Sequence, residues 1–239
     1  MEPAGDTMSI AEMLDERRHL LEVAHWMLGS RVAAERATDE AYREWYGLSD
    51  HHRARIGTPR DWLTQAVGRI SLARLDGVPE VAADAVANTV EQPERARTGP
   101  ADHALRSLRA RRAQPAPPRR QDRIVHSVRQ ACADQDTDCL LSLLSRDVIA
   151  FFDGGGKVRA QTRPVVGSER VARSLLTLLA RHPRTTLCAH PVNGRTGLVA
   201  RYADQVAAVV GLDVAGSRVV RVWVVLNPDK LRSWNRPRS

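Results

Sequence analysis

Two lysines stand among 36 Lys+Arg residues, and each falls in a short motif that also holds an aspartate. One is Asp153-Gly154-Gly155-Gly156-Lys157, the other Asn227-Pro228-Asp229-Lys230-Leu231. An ammonium is a compact point charge and a guanidinium a planar fork, so these positions stand out in a chain of high-GC, arginine-rich composition. The acids and bases make two pairs that could cross between the loop and the C-terminal segment, or between two parts of the fold. A phosphate cradle is excluded, because a P-loop needs a glycine where Phe151 stands and Ser or Thr where Val158 follows Lys157. The glycines free the backbone for positive φ or close approach. They predict a turned or mobile loop after the apolar run Val148 to Phe152.

Acid/base chemistry has three candidates, Asp153, His190 and Asp213: a carboxylate on an inward strand position would have its pKa raised by burial and could act as a base. Their spacing specifies no catalytic constellation. Cys132, Cys139 and Cys188 have no C-x-x-C spacing and read as buried thiols rather than as a disulfide framework or a zinc site. No cofactor or metal is indicated. The formal charge of +8 is unevenly laid out. Residues 1 to 50 carry 5 Arg against 11 acids, and residues 51 to 75 carry 5 Arg against one. Residues 124 to 239 carry 17 Lys+Arg against 9 acids. A localised basic patch points to a polyanion partner.

The elements that position these groups follow from periodicity and caps. Ser9-x-x-Glu12 is a capping box before Ile10, Met13, Leu14, Leu21, Ala24, Met27 and Leu28 at helical spacing, ended by Gly29. Ser30 caps a second helix with Ala34, Ala37, Ala41 and Trp45 on one face and Glu35, Asp39 and Glu40 offered outward. After a polar loop, Thr58-Pro59-Arg60-Asp61 opens a third helix with Trp62, Leu63, Ala66, Val67 and Ile70. Trp26, Trp45 and Trp62 are expected in its core. From Gln121 come two more helices, an apolar strand over Asp147 to Phe152, and a helix over Ser168 to Ala180. Strands follow at 184–190, 197–202, 205–214 and 218–226, with turn signals Asn193-Gly194, Ala203-Asp204 and Ala215-Gly216. No apolar run reaches the roughly 18 to 20 residues of a membrane helix, and Met1 to Asp6 lack the pattern of a signal peptide. A cytoplasmic protein without a membrane role is expected.

Leu21 to Glu35, the following D-E-A-Y-R-E-W and Ile56 to Leu75 resemble region 2 of extracytoplasmic-function sigma factors. The resemblance implies that the second helix docks on the β′ clamp helices of core RNA polymerase, through Glu35, Asp39, Glu40 and Arg43. It also implies that Arg53, Arg55, Arg60, Trp62, Arg69 and Arg74 face a melted promoter strand. The third helix departs from that family where Leu75-Asp76-Gly77 replaces a basic run. The helix-turn-helix region 4 should follow, yet a proline-broken stretch stands there. That stretch, 78–120, holds Arg106, Arg109, Arg111, Arg112, Arg119 and Arg120 and reads as a basic linker.

D-G-G-G-K-V-R-A-Q-T-R-P-V-V-G, V-N-G-R-T-G-L-V and N-P-D-K-L resemble the SnoaL-like C-terminal extension of a branch of those sigma factors. The fold class expected is α + (α+β): a three-helix region 2-like domain over 8–77, the linker, and a SnoaL-like α+β cone over 121–235 with a curled antiparallel sheet. The function implied is an atypical sigma-factor-like regulator, not an enzyme. It would bind polymerase through its helical domain and be modulated in cis by the cone, with the glycine-lysine and N-P-D-K-L motifs at the contact. Without region 4 it would not choose promoters alone and would bind promoter DNA only weakly and non-specifically. A ligand sensor or isomerase-type or cyclase-type enzyme fused to a degenerate sigma domain is the alternative, with a small ligand in the cone. A partner protein and a homodimer through the sheet stay open.

Overall fold

The structure is a computed structural model that describes residues 8–75 and 117–236. The expected linker, with Arg106, Arg109, Arg111 and Arg112, lies outside the described residues apart from Pro117 to Arg120.

The helical unit forms where the caps and apolar spacing place it. Helix α1, Ile10–Leu28, starts at the Ser9–Glu12 capping box and stops at Gly29 in the left-handed conformation. Helix α2, Arg31–Gly47, is capped by the Ser30 side chain, and α4 spans Pro59–Leu75. Small side chains at Ala24, Ala34, Ala37, Ala41 and Ala66 let the helices approach, while Leu20, Tyr42, Trp45, Leu63 and Val67 fill the space between them. Two expectations are corrected. The polar loop contains a short helix α3, Asp50–Arg55, capped by Ser49 with Asp50 in its first turn. Trp26 is 87% exposed and takes no part in the core; Trp45 and Trp62 do, with ring centroids 5.4 Å apart.

The second unit is a six-stranded sheet in the order β2-β1-β6-β5-β4-β3, covered on one face by α5 (Pro118–Asp134), α6 (Thr137–Leu143) and α7 (Ser168–Leu178). Its strands are β1 Leu144–Asp153, β2 Val165–Val166, β3 Thr185–Val192, β4 Arg195–Tyr202, β5 Gln205–Ala215 and β6 Arg218–Val225. A short α8, Pro228–Leu231, closes the chain. Strands β3 to β6 are an antiparallel meander. The sheet is not wholly antiparallel, however, because β1 returns to lie parallel to β6. The two-residue turns predicted from Asn193-Gly194 and Ala203-Asp204 hold positive φ at all four residues, which matches the right-handed strand twist. Register shifts at Leu144/Ile149, Ala200/Arg201 and Asp213/Val214 bend the strands and curl the sheet into a cone.

Val148, Ala150, Leu198, Val210, Leu212, Val222 and Val224 face the helices and make the cone core. Ile10, Ala11 and Met13 from the start of α1 join the same cluster, so the first turn of the helical unit is also part of the cone's packing. No described helix is long and apolar enough to cross a membrane.

Candidate functional site: the strap between cone and helices

The segment after β1 links the two units, and it is built from the glycine motif outward. Asp153 Oδ1 accepts from Gly155 N at 3.0 Å, and Gly154 O accepts from Lys157 N at 3.1 Å, closing a tight turn. Gly155 has φ +61°, and a Cβ there would lie 2.1 Å from Asn227 Nδ2. Only a bare Cα lets the loop sit against Asn227, the residue whose side chain caps α8. The two motifs therefore interlock. Pro228 occupies the first turn of α8, and Leu231 is buried against Val199, Val206 and Val209 on the sheet's outer face.

Past the turn the chain runs extended, and its side chains alternate. Val158 and Ala160 enter the cone core, while Lys157, Arg159 and Arg163 reach acids of the helical unit. Lys157 Nζ lies 2.8 Å from Asp39 Oδ2 on α2 and 2.8 Å from Asp229 Oδ2 on α8. Arg17 of α1 binds the same Asp39 at 2.9 Å and donates to the Lys157 carbonyl at 2.6 Å. The hydrogen bonds to Asp229 and Asp39 raise the Lys157 pKa, and the Lys157 hydrogen bond lowers that of Asp229.

Arg159 makes the most buried pair. Its Nε and Nη2 donate to both oxygens of Glu16 at 2.8 to 3.0 Å, and the Glu16 side chain is 2% exposed. Tyr42 Oη donates to Glu16 at 3.2 Å, and burial, then the Glu16 charge, hold the phenol well above its ordinary pKa. Tyr46 Oη donates to Val158 O at 2.6 Å and accepts from Ala160 N at 2.9 Å, tying the strap backbone to α2. Arg163 reaches Asp50 at 2.5 Å, and Tyr202 Oη of β4 donates to Asp15 of α1 at 2.9 Å.

The motif residues singled out in the sequence thus come together, with one division of labour. Lys157 bridges the two units, whereas Lys230 pairs with Asp153 at 2.7 Å within the cone. Glu16, Arg17, Tyr46, Arg159 and Arg163 were not legible as site residues. The signal that could have found the strap members was the period-two pattern K-V-R-A-Q-T-R, with small apolar residues between polar ones.

The residues expected to face polymerase are differently placed from one another. Asp39 is held by Lys157 and Arg17, and Glu40 by Arg74 at 2.6 Å. Glu35 keeps only a 3.5 Å pair with the exposed Arg31, and Arg43 is exposed. Of the residues expected to face nucleic acid, Arg53 donates to the Trp45, Tyr46 and Leu48 carbonyls at the end of α2 and pairs with Asp50. Trp62 is half-buried against Trp45, and Arg69 pairs with Glu44. Arg55 and Arg60 are exposed.

The acid/base candidates do not point inward, which corrects the expectation of a carboxylate in an apolar pocket. Asp153 is the partner of Lys230. His190 is on the outer face beside Trp234, and Asp213 accepts from Trp223 Nε1 at 3.3 Å. The thiols also differ from expectation: Cys132 is buried, and burial pushes it up to about 12, while Cys139 is half-buried and Cys188 exposed. Among the described residues no group of His, Cys, Asp or Glu is arranged to hold a metal.

An N-terminal helical unit with an α+β cone of curved sheet strapped against it is the class of architecture that this fold defines. No protein-family model matches the chain. The extracytoplasmic-function RNA polymerase sigma factor SigJ of Mycobacterium tuberculosis is 28% identical over 294 residues, spanning 93% of each chain. That alignment is longer than the 239 residues present here, so the relative has positions that this chain lacks. A probable sigma factor SigI of the same species is 30% identical over 102 residues, 43% of this chain and 33% of that protein. The crystal structure of SigJ is 25% identical over 94% of this chain and 98% of its own, with a TM-score of 0.40. A putative ketosteroid isomerase from Kribbella flavida covers 45% of this chain and 77% of its own at 13% identity and a TM-score of 0.35. Over nearly its whole length the chain is similar to an extracytoplasmic-function RNA polymerase sigma factor.

Proposed function

We propose that this protein is an atypical sigma-factor-like regulator of transcription whose helical unit binds the β′ clamp helices of core RNA polymerase through α2, and whose cone modulates that binding in cis. The observation that carries the reading is the placement of Asp39: an acid expected to face polymerase is bound instead by Lys157 of the cone strap and Arg17. Docking of the cone and docking of polymerase then compete for one carboxylate. Glu35 and Arg43 stay available on the same helix. Release of the strap would take Lys157 off Asp39 and leave Arg17 as its one ion-pair partner among the described residues, opening one side of the carboxylate to polymerase. Base readout in the major groove needs an element such as a helix-turn-helix, so the protein would not select upstream promoter elements alone.

The test is binding of the full chain to purified core polymerase, with three variants compared. Glu35→Lys lowers affinity with the fold intact, most at low salt. Lys157→Ala raises it modestly by removing one of the two cations on Asp39, which keeps Arg17, and Asp39→Lys loses it. Failure of the wild-type chain and of Lys157→Ala to bind polymerase overturns the proposal.

A further inference from the structure

We propose that the exposed side of the first two turns of α5 is a phosphate-binding surface for nucleic acid, separate from the region 2-like helices. Arg119, Arg120 and Arg123 are all exposed there, and none has an ion-pair partner among the described residues. The first turn holds no acid. The one acid on these turns, Asp122, is turned to the sheet, where its Oδ1 accepts from Thr196 Oγ1 at 2.5 Å. Gln121, 3% exposed, donates to Leu212 O at 2.7 Å. These two side chains fix how the helix sits on the sheet and leave the arginines outward.

Arg120 and Arg123 line an open concavity of about 600 Å³ with Ser127, Gly216 and Ser217. Arg195, exposed and next to Thr196, adds a fourth cation near the start of the helix. The guanidinium fork matches phosphate oxygens in pairs, and serine hydroxyls can donate to them as well. Residues at i, i+3, i+4 and i+7 share one helix face, which sets Arg119 or Arg120, Arg123 and Ser127 in a row suited to a polyanion strand. A membrane surface fits less well. The large exposed hydrophobic side chains of the described residues all lie outside α5, so nothing there would enter acyl chains.

The surface does not depend on polymerase binding, and its test uses DNA alone. The full chain is titrated against a labelled mixed-sequence duplex and single strand as salt is raised, and against vesicles of anionic phospholipid. Replacing all three arginines, Arg119→Gln, Arg120→Gln and Arg123→Gln, should make the log–log salt dependence of binding less steep by about 3, roughly 0.9 for each phosphate contact on a duplex. The corresponding lysine triple keeps the slope near wild type, and Arg123→Gln alone lowers it by about 1. An unchanged slope in the glutamine triple overturns the proposal, as does absence of DNA binding by the wild type at low salt. Loss of vesicle binding with DNA binding intact replaces nucleic acid by a lipid surface and equally overturns it.

Discussion

Replacing Arg159 by alanine removes the cation from the most buried charged group of the interface. Glu16, 2% exposed, would keep only the Tyr42 hydroxyl at 3.2 Å. Leaving one member of a buried pair without its partner costs about 3 to 5 kcal/mol, a shift on the order of 10² to 10⁴ in an equilibrium constant at about 1.4 kcal/mol per decade. Glu16 lies where strap meets helix, so the chain can relieve this cost by letting the cone move away and water reach the carboxylate. The expected outcome is therefore a shift from docked to undocked units rather than global unfolding. Hydrogen exchange should rise over residues 10–46 and 157–163 while strands β3 to β6 keep their protection. Two controls set the scale. Lys157→Ala leaves Asp39 with Arg17 and Asp229 with Arg232, all partly solvated, and should cost about 1 kcal/mol or less. Lys230→Ala breaks an exposed pair inside the cone and should leave exchange in α1 and α2 unchanged. Adding Glu16→Gln to Arg159→Ala should recover much of the loss, since a buried amide is cheaper than a buried carboxylate. Unchanged exchange in Arg159→Ala, or an effect no larger than that of Lys157→Ala, refutes this account of what holds the units together.

Gly155→Ala should uncouple the glycine loop from α8, because the new Cβ meets Asn227 at 2.1 Å in a backbone with φ +61°; a cost of about 1 to 3 kcal/mol is expected. Gly156→Ala, with φ +66° and open space around it, should cost only the roughly 1 to 2 kcal/mol of the left-handed backbone, and equal melting temperatures for the two would count against the interlock. Docking should also depend on pH at both extremes. Asp229 is lowered from 3.8 by the Lys157 hydrogen bond, so its contribution is present above 3.8 and is lost as pH falls through its folded value below that. Lys157 is raised from 10.5 by Asp229 and Asp39, so its contribution is complete below 10.5 and is lost as pH rises through its folded value above that. Between these limits, exchange protection of α2 corrected for intrinsic rate should be flat; a step near neutral pH contradicts the assignment.

The helices and strands were legible because their signals are local. Ser9 and Glu12 close a capping box within four residues, the alanine face of α2 repeats at helical spacing, and Asn193-Gly194 or Ala203-Asp204 specify a turn from two residues. The importance of the two lysine motifs was also visible, because lysine is rare in this chain and glycine clusters once. Tertiary structure decided how charges pair. Glu16 reads as one more helix acid until Arg159, 143 residues away, meets it. Asp39 and Glu40 look outward on a helical projection, yet strap and α4 cations hold them. Arg53 looks like a free cation but closes the end of α2. Trp26 has the type of a core residue, but the unit's interior is filled without it. A helical period fixes which residues share a face; it carries no information about which distant segment covers that face. The sequence alone therefore determined the two units and the motifs between them, and only the folded chain determined that Lys157, Arg159 and Arg163 face the helices while Val158 and Ala160 anchor their strap in the cone.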